Sequence, residues 1–71
     1  MPNEKKIKAR ICELGLTIKS VADMMGLTAY TLGQKIAGKA LMTLKEARKL
    51  QEILKISDTE VVLYFFTQEV A

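Results

Sequence analysis

Residues 17–38 read TIKSVADMMGLTAYTLGQKIAG. Thr17 is a helix cap, because its hydroxyl can accept a free amide of the first turn. Val21, Ala22 and Met25 follow on one face, and Gly26 ends the run with a residue that tolerates positive φ. Thr28 caps a second segment, in which Leu32 and Ile36 lie four apart, and Gly38 closes it. Small Ala22 precedes Gly26 by four residues and Leu32 follows it by six. Two helices crossing over a tight turn need a small residue where their backbones approach. The spacing therefore predicts two short helices with Leu32 inserted beneath Ala22.

The chain on either side punctuates itself in the same way. Asn3 caps a first helix, with Glu4 favourable against its dipole and Ile7, Ile11 and Leu14 as its apolar stripe. Gly15 stops it. Thr43 with Glu46 forms a capping box for a fourth helix, whose stripe is Leu44, Ala47, Leu50, Ile53 and Leu54. Ser57 with Glu60 forms another before Val61-Val62-Leu63-Tyr64-Phe65-Phe66. The β-branched and aromatic residues of this last run suit a strand. The capping box and the helices upstream favour a short helix, with Val62, Phe65 and Phe66 inward and Val61, Leu63 and Tyr64 turned partly outward. The expected fold class is all-α with five helices, in one domain over residues 1–71. Cys12 is expected to sit half-buried beside the first stripe, and Met24 and Met25 to fill the turn and core.

Composition narrows the chemistry. The chain has no His and one Cys. A His general base, a Ser-His or Cys-His pair, an intramolecular disulfide and a thiolate zinc cluster are therefore excluded. No paired carboxylates stand in an apolar pocket pattern, so no enzyme, cofactor or small-molecule substrate is expected. The apolar run at residues 61–66 is far short of the roughly 20 residues that span a bilayer. Lys5, Lys6, Lys8 and Arg10 are not followed by the apolar stretch of a secretory signal. The expectation is a reduced, cytoplasmic chain without a membrane partner. Residues 1–40 hold seven Lys or Arg against three Asp or Glu, a net of +4, whereas residues 41–71 carry a net of −1. The amino-terminal half is the half suited to a polyanion.

The 17–38 segment, with its caps and flanking helices, has the pattern of a helix-turn-helix, whose second helix can enter a DNA major groove. From Ile7 to Phe66 the chain resembles the five-helix Cro/repressor type of helix-turn-helix domain of temperate phages. The matching residues are Glu13-Leu14-Gly15-Leu16-Thr17, Val21-Ala22, Gly26-Leu27-Thr28, Thr31-Leu32 and Lys35-Ile36-Ala37-Gly38-Lys39. The stretch from Met42-Thr43-Leu44-Lys45-Glu46 through Ile53-Leu54 to Phe65-Phe66 is similar to small regulators from phages of Gram-positive bacteria, both Cro-like and modulator-of-repression proteins. The resemblance implies a regulator of the lysis–lysogeny switch in a bacterial host cytoplasm, binding double-stranded operator DNA alone or with a repressor. The alternative is an antirepressor or co-repressor that acts mainly by binding the cognate phage repressor, with weak or no DNA binding of its own. Three features depart from the family: Ile18 stands where a polar, phosphate-touching residue is common, Lys35 stands where an apolar residue is usual, and the reading face of the third helix lacks most of the Gln, Arg, Ser, Asn or Lys residues with which the family reads bases.

With Leu32 and Ile36 inward, a helical wheel turns Tyr30, Gly33, Gln34 and Ala37 outward, Ala29 to the leading edge, and Thr31 and Lys35 to one side. The expected DNA contacts are Thr28, Ala29, Tyr30, Thr31, Gly33, Gln34, Lys35 and Lys39. Gln34 suits adenine, Tyr30 a phosphate or a thymine methyl, and Lys35 and Lys39 the duplex backbone. Lys5, Lys6 and Lys8 are further candidates for phosphate. This face is poor in donors, because Ala29, Gly33 and Ala37 bring none. An apolar surface at Val61, Leu63 and Tyr64 is the expected interface with a second copy or with the cognate repressor.

Overall fold

The computed structural model describes residues 2–65, and they form five helices. These are α1 (Glu4–Glu13), α2 (Ile18–Met25), α3 (Ala29–Ile36), α4 (Leu44–Ile53) and α5 (Val61–Phe65). No strand occurs among the described residues, so the class is all-α. None of these helices is long and apolar enough to cross a membrane.

Each of the first four helices starts at the cap its sequence specifies. Asn3 Oδ1 accepts the Lys6 amide at 3.2 Å, and Thr28 Oγ1 accepts the Thr31 amide at 3.1 Å. Thr43 and Glu46 make a reciprocal capping box, as expected. So do Thr17 and Ser20, a box that a Glu-or-Gln rule does not anticipate. Such caps each contribute about 1 kcal/mol.

The helix ends depend on left-handed residues. Gly26 has φ 71°, the Leu27 amide reaches back to the Ala22 carbonyl at 2.8 Å, and the Gly26 amide reaches Asp23 at 3.2 Å. This double closure reverses the chain within two residues and delivers Thr28 as the next cap. α4 ends with the same two bonds, Ile56 to Gln51 and Lys55 to Glu52, yet its left-handed residue is Lys55 at φ 54°. Arg10 holds this unfavourable corner. Its Nε donates to the Leu54 carbonyl at 2.9 Å, tying α1 to the end of α4.

α2 is the central element, with α1, α3 and α4 all packed against it. Ile7, Val21, Ala22, Leu32, Ile36, Leu50 and Leu54 are completely buried in one core. Ala22 and Leu32 lie together there, as the spacing around Gly26 predicts. Each buried Leu or Ile contributes about 1.5–3 kcal/mol, a large share of the net stability of so small a domain. Met25 packs on the core while Met24 is exposed. Cys12 is exposed rather than half-buried. Leu44 also departs from expectation, being 66% exposed at the first position of α4.

The last helix corrects the expected orientation. Tyr64 is 8% exposed and Phe65 is buried, Val61 packs partly on the core, and Val62 faces solvent. The buried set is therefore 61, 64 and 65 instead of 62, 65 and 66; Phe66 lies outside the described residues. The cause is the docking of α1. The Asn3 amide donates to the Tyr64 carbonyl at 2.7 Å, and the Lys6 ammonium sits 5.0 Å from the centre of the Tyr64 ring. Ser57 and Glu60 complete only part of their box. The Glu60 carboxylate accepts the Ser57 hydroxyl at 2.9 Å, but the Glu60 amide goes to the Ser57 carbonyl, and regular helix begins at Val61.

Replacing Ala22→Leu will overpack the place where α2 meets α3. The expected cost is roughly 1–3 kcal/mol, read as a fall in melting temperature; an unchanged melting temperature would show that this contact tolerates bulk.

Candidate nucleic-acid interface

The outward side of α3 is set by burial of Leu32 and Ile36. Tyr30 is 76% exposed, and Thr28 and Ala29 at the start of the helix are exposed as well. Gly33 opens onto free space, since a Cβ built there meets nothing within 4 Å. Gln34 is half-buried, and its Nε2 donates to the Tyr30 hydroxyl oxygen at 3.1 Å. Thr28 Oγ1 donates to Thr31 Oγ1 at 2.9 Å, so the cap and its neighbour form one small polar ledge. Ala37, expected outward, is half-buried because it caps the end of the helix. Lys39 is exposed just beyond α3, with its backbone amide on the Gln34 carbonyl at 2.9 Å.

Lys35 is differently engaged. Its ammonium lies 2.7 and 2.8 Å from the two carboxylate oxygens of Glu46 and 3.3 Å from the Leu41 carbonyl. The side chains of Lys35 and Glu46 are only 15% and 23% exposed. The pair joins α3 to the capping box of α4, because the same Glu46 oxygen accepts the Thr43 amide at 3.0 Å. The Lys35 hydrogen bond, followed by the Thr43 amide, holds the Glu46 carboxyl below its ordinary pKa. The cation assigned from the sequence to the duplex backbone is thus neutralised within the fold. With Ile36 in the core, residue 35 lies toward α4, where Glu46 meets it.

Ile18 packs against the core. The other lysines of the amino-terminal half lie outside α3. Lys19 and Lys39 are exposed, as is Lys5 on α1. Lys8 pairs with Glu4 at 3.0 Å, and Lys6 is drawn to the Tyr64 ring.

Of the three residues expected at a partner interface, Leu63 is exposed, Val61 is half-buried and Tyr64 is buried. A different apolar surface escaped the helical wheel. Leu41 is 85% exposed in the α3–α4 connection, and with Leu44, Met42, Ala47 and Phe65 it lines a groove of about 560 Å³. Leu41 carries no periodic signal, since it lies between helices, and Leu44 reads as core from its spacing alone.

Two outcomes follow from these contacts. Glu46→Gln will cost about 1 kcal/mol at neutral pH. Because folding depresses the Glu46 pKa, its contribution is complete above the ordinary carboxylate range and is lost as pH falls through the folded value. Urea melts between about pH 7 and pH 3 should therefore show a flatter acid limb for the variant; parallel limbs would contradict the role given to the pair. In the last helix, Tyr64→Ser should cost about 3 kcal/mol while Leu63→Asp costs under about 1 kcal/mol. Equal losses would mean that α5 is oriented otherwise.

Compared with known proteins, the chain matches no protein family and no curated protein.

Proposed function

We propose that the chain is a helix-turn-helix transcriptional regulator of the Cro/repressor type, as found in temperate phages, binding operator DNA through α3. The observation that carries this reading is the presentation of α3. α2 packs on it around Ala22, the Gly26 turn joins them, and the Tyr30, Gly33 and Gln34 side of α3 is left facing solvent. Such a helix fits a major groove, and its capped amino-terminal end suits the flanking phosphates. Phosphate attraction then falls to Lys39, just beyond α3, and to exposed lysines on other elements such as Lys19 and Lys5, since Lys35 is paired with Glu46.

A second reading has its own support. The groove at Leu41 and Leu44 presents apolar surface of the kind that receives another protein. It favours an antirepressor or co-repressor that docks on the cognate repressor, with DNA binding weak or shared. Mobility-shift assays on operator DNA, with and without that repressor, separate the two. Shifts by the chain alone support direct binding, and shifts or releases that require the repressor support the second reading.

Within the first reading, the two lysines near the end of α3 act differently. Lys39→Ala should weaken binding evenly across sequences and reduce the salt slope by about 1. Lys35→Ala should leave the slope unchanged and lower thermal stability. Titrations at several salt concentrations check both, and an unaltered slope for Lys39→Ala would remove Lys39 from the interface.

A further inference from the structure

Tyr30 and Gln34 stand one turn apart on the exposed side of α3, joined by the Gln34 Nε2 to Tyr30 hydroxyl bond of 3.1 Å. A phenol has one proton to give and lone pairs to receive; an amide offers N–H on one side and a carbonyl on the other. In free solution the bond can therefore run in either direction, with the amide turned accordingly. A phosphate next to Tyr30 removes that choice, because a phosphate oxygen only accepts at neutral pH. The phenol proton goes to the phosphate, the phenol oxygen takes the Gln34 N–H, and the Gln34 carbonyl is held outward.

Resting on the reading of α3 as a DNA-binding helix, we infer that Tyr30 and Gln34 form one unit that selects adenine over guanine. Tyr30 is the positioning residue and Gln34 the base-reading one. An outward carbonyl accepts from the adenine N6 amino group, and the second Gln34 N–H serves adenine N7. Guanine presents O6 and N7, both acceptors, and O6 would face the carbonyl lone pairs. Without the phenol the amide turns freely and meets either purine. The contact to the DNA backbone thereby sets the orientation of the group that reads the base. Exposure of Tyr30 lets the phenol be changed without loss of the core.

The test uses the full chain. Duplexes enriched from a random library at low salt are compared with versions carrying a single A·T to G·C change at each enriched adenine. The wild type should prefer adenine at one position by roughly tenfold or more. Gln34→Ala should bring that preference close to one. Tyr30→Phe should reduce it several-fold while leaving the circular dichroism melt and the salt slope as in the wild type. If Tyr30→Phe keeps the full adenine preference, Tyr30 does not orient Gln34 and the inference fails. Salt-dependent binding of the wild type without any adenine preference also overturns it, and leaves α3 as a DNA-binding helix. No salt-dependent binding to any duplex removes the DNA-binding reading and this inference with it.

Discussion

The packing of α2 against α3 around Ala22 controls what the molecule can present to a partner. Ala22 has no side chain beyond a methyl group, so the α2 backbone can lie close to Leu32, and both are fully buried. Gly26, in the left-handed region, turns the chain quickly enough for that approach. Once α2 and α3 are joined in this way, the inward direction of Leu32 and Ile36 is settled. The outward direction of Tyr30, Gly33 and Gln34 follows from the same rotation. A larger residue at position 22 would move all of these together.

The Lys35–Glu46 pair shows how fold and surface compete for the same charge. An ion pair with partial burial contributes modestly to stability, but it ties α3 to the capped start of α4 and fixes the connection through Leu41. The consequence is an α3 face without a free cation of its own among the described residues. Any phosphate attraction then has to come from lysines on α1, on α2 and beyond the end of α3. Such a surface favours hydrogen-bond discrimination by a few neutral groups over strong non-specific attraction, since the salt-dependent term scales with the cations brought to phosphate.

The apolar groove at Leu41 and Leu44 lies along the α3–α4 connection, the start of α4 and Phe65, and Lys39, proposed above as a phosphate contact, is among its lining residues. In the proposed regulator a protein seated in the groove would therefore meet Lys39, a residue the DNA reading also uses.

Local chemistry was legible residue by residue. The Asn3, Thr17, Thr28 and Thr43 caps, the turn at Gly26, and the burial of Ile7, Ile11, Leu32, Ile36, Leu50 and Leu54 all follow from spacing and from interactions within three or four residues. Three features did not. The end of α4 uses Lys55 in a left-handed conformation, where no glycine signals it, because Arg10 arrives from 45 residues away to hold the corner. Lys35 reads as a surface cation until α4 brings Glu46 against it. The run at 61–65 is apolar on every side, so its periodicity names no inward face; the docking of Asn3 and Lys6 on Tyr64 chooses it. Caps and turns are short-range and are written in neighbouring residues. The charge left on α3 and the buried face of α5 depend on contacts between distant segments, which come into being only when the helices assemble.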